Sequence, residues 1–451
     1  VNANKKVLNV LIRNLFLGLF MTDWLAIKTI PIVVLIATLI LNVIAIGNIV
    51  NAQNVTEKAI PGSNFSRGAG IPVIKDPKLK AELVFRGLEF PTTMAFLGPN
   101  DILVLEKSKG TVNRIINGKM LSEPLLHVNV APEVERGMLG IAISNTKNMT
   151  GNNTTATHVF LYYTEAASAQ QGNMPLGNRL YRYELNNNKL VNPKLLLDLP
   201  AIPGPRHNGG AIIIGPDNNL YVPIGDVDGH TTEAQNIVDG GRPDGTGGIL
   251  RITQDGKPVQ SIIGEDSPAN KYYAYGIRNS FGIDFDPLTG KLWDTENGAG
   301  SNDEINVVEP GFNSGWLQVQ GKAPPGFDPH QLVDFGGIGK YRDPEFSWLD
   351  TIGPTKIKFL TSDKLGKQYQ NDIFVGDIHS GRIYDFKLND NRTGLSLTGP
   401  LADKVGDTDN ETQGLVFASE FGGISDLVVG PDGYLYVVSL GQGAIYRIVP
   451  S

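Results

Sequence analysis

Residues 211–222 read Ala-Ile-Ile-Ile-Gly-Pro-Asp-Asn-Asn-Leu-Tyr-Val, and residues 427–437 read Leu-Val-Val-Gly-Pro-Asp-Gly-Tyr-Leu-Tyr-Val. Each is an apolar run, a Gly-Pro turn and an apolar-aromatic-apolar run. Proline presets φ at the turn, and Asp, Asn or Gly supplies the next special conformation, so two short strands join as a hairpin. Looser copies run from Met94 to Val104 and from Gly282 to Trp293. A third strand with period-two alternation follows at Gly110–Ile115, Arg179–Tyr183, Gly248–Ile252, Gly381–Phe386 and Gly443–Ile448. Two more units keep the strands without the crisp turn: Gly137–Ile143 with His158–Tyr163, and Ile357–Leu360 with Asp372–Val375. That makes six units. Phe85–Ser451 holds 367 residues, about 61 per unit, which suits four-stranded blades carrying insertions, with radial closure protecting the sheet edges. The expected fold is therefore all-β, a six-bladed β-propeller over residues 81–451. The last unit ends after three strands at Val449, so Leu83–Phe85 is expected to supply its fourth.

The composition fits this reading. Glycine contributes 53 of 451 residues, well above the ~7% average, which points to many turns. With 41% apolar residues the chain is not a disordered one, and without Cys it is neither a disulfide scaffold nor a thiol, iron–sulfur or thiolate-zinc protein. A net charge of −7 argues against a phosphate-lined groove, so no nucleic-acid partner is expected.

Between Lys28 and Glu57 no residue is charged, and Thr29–Val50 is a near-continuous apolar run that as a helix would span ~33 Å. Lys5, Lys6, Arg13 and Lys28 precede it against a single Asp23, so the positive-inside bias leaves the N-terminus inside and the large domain outside. The expected organisation is a cytoplasmic segment at 1–28, a transmembrane anchor or signal helix at 29–50, a linker at 51–80, and the propeller. The domain is then extracellular or periplasmic, and secreted if the helix is cleaved; Val50-Asn51-Ala52 also fits a small-residue cleavage site. Seven N-x-S/T sequons, at Asn54, Asn64, Asn148, Asn152, Asn153, Asn391 and Asn410, all follow the apolar run and fit a glycosylated exterior.

Three loops before or beside innermost strands can carry chemistry. Pro205-Arg206-His207-Asn208-Gly209-Gly210 presents a His whose ordinary pKa suits a general base, although a plain loop His has the same appearance. Tyr275–Gly282 contains Arg278-Asn279, able to bind a carboxylate or polarise a carbonyl oxygen, or to form a structural ion pair. Thr295–Asn306 combines the free carbonyls of a Gly-rich turn with Asp303 and Glu304, which suits a hard cation such as calcium or a merely solvated acidic turn. Asp226 and Asp228 form a further acidic turn, without the distal Glu of an EF-hand.

These motifs, with Glu135-Arg-Gly-Met-Leu-Gly-Ile-Ala142, Gly225-Asp226, Gly248-Ile-Leu-Arg-Ile252 and Asp303-Glu-Ile-Asn306, resemble the quinoprotein soluble glucose dehydrogenase and aldose sugar dehydrogenase group, over roughly Gly87–Val449. The resemblance implies a six-bladed propeller using pyrroloquinoline quinone (PQQ) and calcium to oxidise an aldose to a lactone, with electrons passed to an external acceptor. It implies His207 as general base, Arg278 as the cation beside the quinone oxygens, Asn279 as a cofactor contact, and the carbonyls of Gly298 and Ala299 as calcium ligands. The chain departs from the family at three places. Glu135 stands where glucose enzymes have Gln, next to a tricarboxylate. His379, in Asp377-Ile-His379-Ser-Gly381, stands nearest a family Lys, and Gly423 and Ser425 replace an Arg pair. Each lost charged hydrogen bond costs about 1.5–3 kcal/mol, and Arg136, Arg206 and Arg382 are the residues that could compensate. The alternatives are a non-catalytic propeller that binds glycans or partner proteins, and a metal-dependent lactonase, which needs a side-chain metal shell of Glu, Asn and Asp.

Overall fold

The computed structural model describes residues 70–147, 155–169, 172 and 174–451. Residues 1–28, the apolar run Thr29–Val50 and the sequons at Asn54, Asn64, Asn148, Asn152 and Asn153 lie outside that set. Among the described residues no helix is long and apolar enough to cross a membrane. Asn391 and Asn410 are described and exposed.

The described residues form six sheets of four to six strands. Numbered 1 to 6 along the chain, their innermost strands are Pro91–Gly98, Met138–Lys147, Ile213–Ile214, Ser280–Phe285, Pro354–Phe359 and Ile424–Val429. Apolar side chains fill a seam between each consecutive pair. Leu103 and Val112 meet Ile141 and Val159 between sheets 1 and 2, Phe160 and Tyr162 meet Leu220 and Val222 between 2 and 3, and Tyr221 and Ile249 meet Ile283 and Leu292 between 3 and 4. Trp293 and Ile305 meet Ile357 and Phe359 between 4 and 5, Phe374 and Ile383 meet Ile424 and Leu427 between 5 and 6, and Val438 and Ile445 meet Met94 and Ile102 between 6 and 1. The last seam closes a ring, so the architecture is a β-propeller. Both faces of every sheet are covered, which is why strands such as Leu220–Ile224 and Leu292–Glu296 are buried at every position.

The repeated turns form as their chemistry dictates. The left-handed position falls on Asn218 (φ 63°), Gly433 (φ 83°), Asn100 (φ 57°) and Gly290 (φ 70°), residues that tolerate it at little cost. In the two clearest copies the turn Asp also accepts a hydrogen bond from the Tyr four residues on, Tyr221 to Asp217 at 3.0 Å and Tyr436 to Asp432 at 2.8 Å.

The ring is closed by Leu79–Arg86, antiparallel to Ala444–Pro450, with Phe85 opposite Ile445. This strand is longer than the three residues expected. Val73–Ile74 also adds to the edge of sheet 5 through Ser419 and Ala418. Part of the stretch read as a linker is thus strand, because open sheet edges offer it main-chain partners. Insertions widen sheets 3 and 4 with short parallel strands, Phe312–Asn313 and Lys340–Tyr341 on one and Val405–Gly406 on the other.

Candidate active site

The loops entering the innermost strands of sheets 2, 3 and 4 meet at one end of the ring. Main-chain bonds join them: the Glu135 amide donates to the Pro205 carbonyl (3.3 Å), and the Asp226 amide to the Arg278 carbonyl (2.9 Å). Gly225 makes this approach possible, since a Cβ there would lie 2.3 Å from the Arg278 oxygen and 2.8 Å from the His207 Cβ.

His207 is 5% exposed and has φ 59°, a left-handed conformation uncommon for a residue with a Cβ. Two carboxylates hold it there. Its amide donates to Glu135 Oε2 (2.5 Å), and its ring Nδ1 lies 2.5 Å from Asp226 Oδ1. Asp226 Oδ2 accepts the indole N–H of Trp316 (2.9 Å). Burial alone would push the Asp226 carboxyl up, but the bonds from His207 and Trp316 outweigh it and hold Asp226 below its ordinary value. An anionic Asp226 keeps the proton on Nδ1, so Nε2, which makes no hydrogen bond among the described residues, is the basic nitrogen.

Arg278 lies beside this pair. Its Nη1 donates to the carbonyls of Asn297 (2.7 Å) and Gly298 (2.9 Å), and its Cζ sits 5.5 Å from the centre of the Trp316 ring. Asn279 is 3% exposed and interacts with Glu135, while its Oδ1 is buried without a partner among the described residues. Loss of water pushes the Glu135 carboxyl up, opposed by His207 and Arg278. Glu135 is therefore the brace of the His207 backbone. The same carboxyl faces Lys107, whose ammonium burial pushes down to about 8 and whose Nζ donates to the Pro132 carbonyl (2.9 Å).

Not every residue singled out in the sequence joins this group. Arg136 is buried and donates to the Ala201 and Gly204 carbonyls, steadying the segment that leads into His207. Arg206 is exposed, 3.7 Å from Asp228, and His379 is exposed, 3.4 Å from the Thr351 carbonyl. Arg382 pairs with Asp409. The Ala299 amide donates to Gln320 Oε1 (3.1 Å). Asp303 accepts the amides of Gly298, Ile352 and Gly353, and Glu304 accepts that of Gly321, so both acids of the Gly-rich turn serve backbone amides. Among the described residues no three His, Asp or Glu side chains are grouped to hold a metal.

Beneath Arg278, the carboxyls of Asp294, Glu296 and Glu304 are buried on one face of sheet 4, and burial pushes all three up. Glu296 accepts the Arg278 amide (2.6 Å) and the Ser314 hydroxyl (2.7 Å). Sequence reasoning missed this acid layer and Trp316. Asp294 and Glu296 share a face of the strand Leu292–Glu296, which runs into the stretch read in the sequence as a turn.

A second His–carboxylate pair steadies the loop before His207. His230 Nδ1 lies 2.5 Å from Asp244 Oδ2 and Nε2 lies 2.6 Å from the Ile202 carbonyl. Both partners are acceptors, so both nitrogens must donate and the ring is an imidazolium. The bond to Asp244 raises the His230 pKa by more than burial lowers it. A raised folded-state value means that this stabilisation is complete below about pH 6.5 and is lost as the pH rises through the folded value. The melting temperature of the protein should exceed that of His230→Gln most at pH 6, and the gap should narrow towards pH 9. A pH-independent gap would contradict the imidazolium.

A sequence model of the Glucose / Sorbosone dehydrogenase family matches residues 88–447. Aldose sugar dehydrogenase YliI of Escherichia coli (strain K12) is 24% identical over 380 residues, covering 82% of this chain and 93% of the relative. A solved oxidoreductase (glucose dehydrogenase) of Thermus thermophilus superposes with a TM-score of 0.61 at 26% identity, over 82% of this chain and 100% of its own. The PQQ-bound form of an aldose sugar dehydrogenase from Streptomyces coelicolor shares the fold, with a TM-score of 0.60 at 23% identity over 84% of this chain and 100% of its own.

Proposed function

The chain belongs to the Glucose / Sorbosone dehydrogenase family, an oxidoreductase family, and from that premise we propose that it oxidises an aldose at the anomeric carbon to a lactone, with PQQ and calcium as cofactors. The observation that carries this reading is the state of His207: Nδ1 is held by anionic Asp226, and Nε2 is left as a base.

The residues fit the cofactor at its reacting edge. Asn279 Oδ1 is a buried acceptor without a partner among the described residues, Arg278 is the cation, and Gly298 and Ala299 offer turn carbonyls. The carboxylate side carries less charge. Gly423 has no side chain, and the Ser425 hydroxyl is spent on the Pro91 carbonyl (2.8 Å), so the exposed side chains of Arg206 and His379 are offered to serve it. When bound, the quinone supplies a two-electron acceptor and calcium a Lewis acid.

His207 Nε2 would take the proton of the anomeric hydroxyl, with the bound quinone as the acceptor of the hydride that leaves the anomeric carbon. Asp226 stabilises the resulting imidazolium, and Glu135 keeps the backbone of the base in place. Arg278 offers positive charge where negative charge develops. The apolar run and the sequons support export, with the propeller outside and the helix, where retained, as its anchor.

The test is a titration of the full chain with PQQ and calcium, followed by the cofactor's absorbance, then addition of aldoses with an artificial electron acceptor. Stoichiometric binding and sugar-dependent reduction are expected. Absence of binding at micromolar cofactor would mean that the missing cations are decisive and that the propeller is a scaffold or a different enzyme.

A further inference from the structure

Trp316 touches both halves of the site. Its indole N–H donates to Asp226 Oδ2 (2.9 Å), the oxygen that His207 does not use, and its ring lies under the Arg278 guanidinium at 5.5 Å. Glu135 faces both the base and the cation by charge, whereas this indole links the partner of the base, Asp226, to the cation through a hydrogen bond and a ring contact.

The ring is held from behind. The Trp316 amide donates to the Gly276 carbonyl (2.9 Å), its carbonyl accepts Asn236 Nδ2 (2.8 Å), and the next amide, of Leu317, donates to the Gln235 carbonyl (2.8 Å). Gln235 itself is locked in a capping box with Thr232. Two residues earlier, the Ser314 hydroxyl donates to Glu296, the same carboxyl that accepts the Arg278 amide. Backbone and ring are thus referenced to the sheet 3 and sheet 4 elements that carry the base and the cation.

We propose that Trp316 is the positioning residue of this site, setting the distance between the His207 base and the Arg278 cation and tuning Asp226 through a neutral hydrogen bond. This rests on the roles given above to His207 and Arg278. A neutral donor on Oδ2 suits the task. It lowers the proton affinity of Asp226 without adding a charge that would repel the imidazolium, and the flat ring gives the guanidinium a face to rest on while its N–H groups stay free to bond in plane. The titratable and charged groups that face Asp226 are His207, Arg278 and His230.

Two measurements test it. In the full chain, which has four tryptophans, labelling with 15N-tryptophan lets the Trp316 indole signal be assigned by its loss in Trp316→Phe. It is expected to exchange slowly with solvent and to move as the pH is lowered through the Asp226 titration. This reading needs neither sugar nor cofactor, so it stands or falls apart from the dehydrogenase assignment. In the holoenzyme, Trp316→Phe keeps a ring and loses the N–H. It should lower kcat about tenfold, the value of one hydrogen bond to a charged group, leave KM within about twofold, and move the acid limb of the kcat profile to higher pH, because Asp226 then protonates more easily. A rapidly exchanging indole that ignores pH would overturn the proposal, as would a variant with the parent's kcat and acid limb.

Discussion

His207→Ala should lower kcat for aldose oxidation by about 10²–10⁴-fold, the usual contribution of a positioned general base, with KM changed much less. Nε2 is the nitrogen free to accept a proton, and no other side chain in this group can take over. Glu135 is occupied by the His207 amide and Asn279, and Asp226 is held low in pKa by the bonds around it. The fold should tolerate the change at a cost of about 1–3 kcal/mol, because Asp226 loses a charge-assisted partner but keeps the Trp316 indole and the Asp228 amide at 3.0 Å. Steady-state kinetics with a melting curve separate the two effects. A variant that oxidises sugar within twofold of the parent would remove His207 from the mechanism.

Arg278→Ala should be the second most damaging change, with kcat falling about 10²–10³-fold as transition-state charge loses its preorganised partner. The main chain keeps its roles, since the amide still reaches Glu296 and the carbonyl still accepts the Asp226 amide. The loss is therefore electrostatic. The Glu135 carboxyl, opposed in its upward shift by Arg278, should rise further, and binding of an anionic cofactor should weaken with it. Arg278→Lys should recover only part of the rate, because an ammonium lacks the planar face that rests on Trp316. Calorimetric cofactor affinities measured beside kcat would show this, and full recovery by Lys would argue that only net charge matters.

His207, Arg278, Asn279 and Gly298 stood out in the sequence because each sits at the mouth of an innermost strand or hairpin, and closure of the ring brings those mouths together. Glu135 was legible as a position and not as a role. It appeared as an unwelcome charge beside a tricarboxylate, whereas it braces a left-handed His207 that is 72 residues away. Arg136, expected to face the cofactor, turns behind the site to the Ala201 and Gly204 carbonyls. Asp303 and Glu304, expected near a cation, are taken by backbone amides.

By itself the amino-acid sequence determined the repeat, the hairpin turns and the ring, because Gly-Pro-Asp geometry and period-two alternation act within a few residues and need no distant partner. It also placed His207, Arg278 and the Gly298 turn in loops next to innermost strands. Only the tertiary structure decided which contacts those side chains make. Trp316 reaches Asp226 across 90 positions of chain from inside an insertion. Asp294, Glu296 and Glu304 became a buried acid layer only when sheet 4 packed against its neighbours. Such pairings depend on where whole sheets come to rest, and the free energy that places them lies in the apolar seams and not in the local chain.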